Sequence, residues 1–139
     1  MTRFIAMAGL LAALVGLTGC SEKKVGVRGT VTRGGEKLTW PEGGSLLVVF
    51  CPVDYKRDQR VYSAQTDTAT STYQIVAIPP GRYQVAVQQF DEGYMDALGG
   101  VYDPGSSPLV YEVNLDGQVI DIELPKALPK RIPFREDGN

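Results

Sequence analysis

The chain contains no histidine. That absence alone excludes a Ser-His-Asp triad, a Cys-His pair and any imidazole metal site. Cysteine is nearly absent too: Cys20 and Cys51 are the only two, so at most one intrachain disulfide could form. There is no basic surplus, since 14 Lys and Arg face 16 Asp and Glu for a net charge of −2. Phosphate recognition needs a concentrated basic patch, so nucleic acid is not an expected partner. The one basic cluster, Lys126, Lys130, Arg131 and Arg135, lies among prolines near the C-terminus and reads as a solvated tail. Long apolar runs are equally scarce. Residues 4–19 carry no charge but are interrupted by Gly9 and Gly16, and a spanning helix needs about 20 apolar residues. No later stretch is apolar enough to span a bilayer, and no segment shows a helical hydrophobic period.

What is present begins at the N-terminus. Arg3, the apolar run and the small residues before Cys20 have the order of a secretory signal. Leu17-Thr18-Gly19-Cys20 resembles the lipobox of bacterial lipoproteins. That resemblance implies cleavage before Cys20, removal of residues 1–19 and acylation of the cysteine. Each buried CH2 of an acyl chain contributes about 0.8 kcal/mol, so one chain binds marginally and two or three anchor stably. The expected location is therefore the cell envelope, lipid-anchored to a membrane, the outer membrane facing the periplasm or the surface. Loss of Arg3 leaves 13 basic against 16 acidic residues. With Cys20 lipidated, no intrachain disulfide is possible, and Cys51 stands alone and reads as a small buried hydrophobe; the alternative is a reactive or intermolecular thiol.

Beyond a tether at residues 20–24 the pattern has period two. Val25, Val27, Gly29 and Val31 share one side of a strand. Arg33-Gly34-Gly35-Glu36 is a turn in which paired glycines accept positive φ. In the run from Leu46 to Cys51 both alternating faces are apolar, which predicts a strand covered on both sides. Alternation recurs over Val61–Thr66, Thr72–Val76, and Tyr83, Val85 and Val87. It returns over Leu109–Leu115 and Val119–Leu124, with Asp116-Gly117 between them as a tight hairpin signal. Residues 90–108 hold six glycines or prolines and four acids, a long connection of the kind that is usually functional or mobile. Seven short strands with frequent turns predict an all-β sandwich, spanning residues 25–124 and followed by a Pro-rich basic tail at 125–139.

Three segments carry a second resemblance. Val27-Arg28-Gly29-Thr30-Val31-Thr32 leads to Gly35-Glu36-Lys37-Leu38 and Val48-Val49-Phe50-Cys51-Pro52. Tyr73-Gln74-Ile75 leads to Ile78-Pro79-Pro80-Gly81-Arg82-Tyr83-Gln84-Val85-Ala86-Val87. The third comprises Tyr102, Ser107-Pro108-Leu109, Glu112-Val113 and Gly117. Together they resemble the carboxypeptidase-regulatory-like, transthyretin-like (prealbumin-like, Ig-like) domains of small lipoproteins of planctomycete-type bacteria. The pattern departs at Lys37, where proline is usual. The resemblance implies a seven-stranded sandwich and says little about activity, because glycine, proline and core residues explain its motifs.

Enzymes on related sandwiches provide a contrast. Hydroxyisourate hydrolases of transthyretin type and intradiol dioxygenases both depend on histidines, which this chain lacks. Asp91, Glu92, Asp96 and Asp103 lack the spacing of a calcium loop and read as solvation of a loop. Tyr94, Met95, Leu98 and Tyr102 in that loop, with Trp40, are the candidate partner-binding residues; the alternative is that they fold back onto the sheet. The expected function is a lipid-anchored, non-catalytic binding or assembly module without a cofactor. Its expected partners are the membrane and an envelope protein or glycan. The alternative is a small hydrolase or metal-dependent accessory protein.

Overall fold

A computed structural model describes residues 21–40, 42–54 and 59–128. Cys20 and the basic residues Lys130, Arg131 and Arg135 lie outside them. The described residues form strands and no helix, arranged as two sheets.

The first sheet is organised around β1 (Val25–Arg33). On one side β1 pairs antiparallel with β6 (Thr72–Ile78), which carries β5 (Gln65–Asp67) on its far edge. On the other side it pairs parallel with β9 (Gln118–Val119) and β10 (Ile122–Leu124). The short β2 (Glu36–Lys37) folds back onto the end of β1, with Arg33 opposite Glu36. Gly34 and Gly35 have φ of 60° and 80°, the backbone that a two-residue turn of this hand demands. The second sheet has the order β4 (Tyr62–Ser63), β3 (Ser45–Pro52), β7 (Gly81–Phe90), β8 (Val110–Val113), and every pairing in it is antiparallel.

Alternation decides what lies between the sheets. Val25, Val27 and Val31 point inward from β1; Leu46, Val48 and Phe50 from β3; Tyr83, Val85 and Val87 from β7. Phe50 is wholly buried, with ring centroids 5.9 Å from Tyr73 and 6.0 Å from Tyr83, a separation at which tilted aromatic pairs attract. Tyr83 donates its hydroxyl to the Pro79 carbonyl at 2.6 Å, and burial pushes its pKa up to about 12. The other face of β3 is covered as well. Val49 and Cys51 cluster with Ala86 and are nearly buried. Cys51 is a free thiol whose pKa is raised by burial.

Among the described residues ten strand segments replace the seven expected: β2 is an added two-residue return on β1, and two expected strands are split. The strand expected at 61–66 splits at Ala64 because the chain changes sheets there. Tyr62–Ser63 pairs with β3, whereas Gln65–Asp67 pairs with β6. The last expected strand splits at Ile120–Asp121, although the register on β1 is unchanged across the gap. Asp121 Oδ1 takes the Thr30 N–H at 2.9 Å, and the Ile120 carbonyl accepts from the Tyr73 hydroxyl at 2.6 Å. Side chains thus occupy positions that a ladder would fill with backbone.

The hairpin expected across Asp116-Gly117 is a correction. The turn exists, with Gly117 at φ 73°, but its flanking strands do not pair. β8 belongs to the second sheet through Gly81 opposite Val113, and β9 belongs to the first. The turn is held instead by β1: Asp116 Oδ1 accepts from the Gly26 N–H at 2.7 Å, and the Gly117 N–H donates to the Gly26 carbonyl. The turn chemistry is local, whereas strand pairing is settled by which sheet has a free edge.

Candidate functional site

The connection from β7 to β8 contains four of the five candidate binding residues, all but Trp40, and it divides into a tip and a base. At the tip, Phe90 bridges to Asp96 across a narrow loop. Asp91 Oδ1 accepts the N–H groups of Gly93 and Met95 at 2.8 and 2.9 Å. Such a side chain mimics a backbone turn and fixes the residues after it. Asp96 does more: its Oδ1 accepts from the Gln89 and Leu98 N–H groups and its Oδ2 from the Gly100 N–H, all near 3.0 Å. One carboxylate therefore ties the last turn of β7 to the base of the loop.

Tyr94 and Met95 stand on this framework. Tyr94 is 86% exposed and Met95 69%. Tyr94 also has φ 60°, a left-handed conformation uncommon for a bulky side chain. Such a conformation costs of order 1–3 kcal/mol and persists only where surrounding bonds over-determine it. Here the bonds are the Tyr94 N–H to the Asp91 carbonyl and the Asp91 N–H to the Met95 carbonyl, both at 3.1 Å. The result is a large aromatic ring and a thioether held outward by a rigid support.

Leu98 and Tyr102 have a different fate. Leu98 is fully buried and Tyr102 is 2% exposed, both within the main core. The Val87 N–H donates to the Tyr102 carbonyl, so the base of the loop is stitched to β7. These two side chains cannot meet a partner while the domain is folded. They complete the end of the sandwich, and the candidate site contracts to Tyr94 and Met95.

Asp103 instead holds a side chain: its Oδ1 accepts from Gln88 Nε2 at 2.7 Å. The reading of the loop acids as solvation missed the work of Asp91 and Asp96 as turn acceptors. The available signal was Asp91-Glu92-Gly93, an Asx-turn sequence. Among the described residues, no three His, Cys, Asp or Glu side chains converge as a cation site would require.

Trp40 sits beside the tip's foundation. An added Cβ on Gly44 would fall 2.6 Å from the indole and 2.9 Å from the Phe90 carbonyl, so only glycine lets the two loops approach. The indole N–H is buried with no hydrogen-bond partner.

No protein-family model matches this chain, and no curated protein matches it significantly in sequence.

Proposed function

We propose that this protein is a lipid-anchored, non-catalytic β-sandwich of the cell envelope. In this reading it binds an envelope protein or glycan through the Tyr94–Met95 tip. The observation that carries the binding reading is Tyr94 itself: 86% exposed, in left-handed backbone, on a loop whose carboxylates hold it there. Backbone strain concentrates at clamps and recognition sites, and aromatic residues dominate binding energy at interfaces. The anchor reading rests on Leu17-Thr18-Gly19-Cys20 behind the uncharged run.

The finer fold assignment, a transthyretin-like, carboxypeptidase-regulatory-like domain of a planctomycete-type lipoprotein, is part of the same proposal. Its support is the grouping of segments. If Tyr62–Asp67 and Gln118–Leu124 each count as one interrupted strand and β2 as an appendage, seven strands remain.

The test is capture from envelope extract with the lipidated protein. Tyr94→Ala and Met95→Ala should each weaken capture by more than about 1 kcal/mol, the threshold that most interface truncations do not reach. Val119→Ala, on the outer face of β9, should leave it unchanged. Equal capture by all three variants removes the tip from the reading. For the anchor, Cys20→Ser should abolish the acyl mass on the mature N-terminal peptide; a processed, membrane-bound Cys20→Ser protein would refute it.

A further inference from the structure

The two ends of the sandwich differ in a way that assigns them to different neighbours. Val25 starts β1 and pairs with Ile78 at the end of β6. The Ile78–Gly81 turn, the Pro52 end of β3 and the Leu115–Gly117 turn gather at this same end. The Val53 N–H donates to the Arg82 carbonyl, the Gly117 N–H donates to the Gly26 carbonyl, and Gly81 lies opposite Val113. Glu22 of the tether lines a hollow there with Pro52, Val53, Pro80 and Arg82, so the chain leaves the domain along this surface. Ser45 and Phe90 pair at the opposite end, where the Tyr94 loop begins. β1 is nine residues long, so at about 3.3 Å per residue the two ends lie roughly 25–30 Å apart.

Most of the exposed large apolar side chains follow the same division, although Val110 and Val119 lie between the two ends, opposite Gln84 and Arg28. Val53, Val61 and Leu115 are 43%, 42% and 68% exposed at or beside the tether end, and Val76 near Gly26 is 68% exposed. Pro80 is exposed in the adjoining turn. The described charges there are mixed in sign: Lys23, Lys24, Arg28, Arg60 and Arg82 with Glu22, Asp54, Glu112 and Asp116. An apolar-studded end with described charges of both signs has no strong electrostatic preference for an anionic surface. It can still rest at a lipid interface when a covalent anchor holds it close. The reach is short, because Val25 is five positions after Cys20 and extended chain covers at most about 3.6 Å per position, or about 18 Å in all.

We propose that the tether end of the sandwich seats on the lipid surface through Leu115, Val53 and the Pro79–Pro80 turn, and that the Tyr94–Met95 tip is thereby displayed on the far side of the domain. The occupant of this apolar end is the bilayer that carries the protein's own anchor. The inference rests on the lipidation of Cys20 put forward above, and it adds an orientation that lipidation alone does not require.

The experiment uses the mature lipidated protein in phosphatidylcholine vesicles, with and without bromine on shallow acyl positions. Leu115→Trp and, as a second probe, Val53→Trp should lose a large share of their added emission to the bromines. Tyr94→Trp should lose none, and the native Trp40, also at the far end, acts as an internal control. Raising the salt concentration should leave the quenching unchanged. Equal quenching of the Leu115→Trp and Tyr94→Trp probes, or none at either tether-end probe, overturns the seating. The mass of the N-terminal peptide from the same sample separates the two ideas. An unacylated Cys20 refutes the anchor, whereas an acylated Cys20 with unquenched tether-end probes refutes only the orientation.

Discussion

At the scale of single residues, Gly29 is a position that has no room for a side chain. A Cβ on Gly29 would lie 1.9 Å from the Ile120 carbonyl oxygen and 3.0 Å from the Tyr73 ring. The first of these is backbone, which cannot swing aside. Gly29→Ala must push β10 off β1 and break the Tyr73–Ile120 hydrogen bond, a form of overpacking that costs about 1–3 kcal/mol and occasionally more. Phe50→Ala opens the centre of the core and should cost about 3–5 kcal/mol, a large part of the roughly 5–15 kcal/mol that stabilises a domain. Val119→Ala, at a side chain 57% exposed, should stay within about 0.5 kcal/mol. Chemical denaturation of the three variants checks this ranking. A Gly29→Ala protein as stable as Val119→Ala would mean that β9 and β10 are placed wrongly.

At the scale of elements, the β7–β8 connection is two devices in one segment. Residues 92–95 form the displayed tip, and residues 97–103 put Leu98 and Tyr102 into the core. Replacing 92–95 with a Gly-Asn-Gly link should therefore keep the melting midpoint and remove capture. A cut that also takes Leu98 and Tyr102 should unfold the domain. Asp96→Ala strands three N–H groups that the carboxylate now satisfies. Stranded donors cost about 1–3 kcal/mol when water cannot replace the acceptor, so a drop in midpoint is expected with the tip's own residues intact. A loop-free protein that folds normally would return Leu98 and Tyr102 to the surface and restore the wider binding site.

At the scale of the whole molecule, the closing strand is secured by acids. Asp121 accepts from both the backbone and the side chain of Thr30, and these bonds hold its carboxyl below the usual range. Glu123 accepts from the Thr32 hydroxyl and the Gly35 N–H, with the same direction of shift. A carboxylate depressed by folding adds stability that is complete above its unfolded pKa and fades as pH falls through the folded value. The midpoint should thus hold at neutral pH and decline from about pH 4 downward, where ordinary carboxylates begin to protonate. Both carboxylates lie on exposed residues, where solvent screening keeps such contributions small. An Asp121→Asn, Glu123→Gln protein should lower the neutral-pH midpoint modestly and flatten the acid decline. An unchanged acid profile would place the pH sensitivity elsewhere.

The sequence by itself determined the inward faces of β1, β3 and β7, because a period of two is imposed by backbone pleating whatever the strand pairs with. It determined the Gly34-Gly35 turn, since only a few residues accept that backbone. It also marked Leu46–Cys51 as covered on both faces, because apolar residues on both sides of a pleat leave no wet side. Only the tertiary structure decided which strands are neighbours. Asp116-Gly117 signals a turn equally well within one sheet or between two, and the choice depended on a free edge of β1 some ninety residues earlier in the chain. The same holds for the candidate site. Tyr94, Met95, Leu98 and Tyr102 are alike in sequence as apolar residues in a polar loop. Two became core and two became surface because Asp91 and Asp96, by capturing nearby N–H groups, fixed where the chain turns.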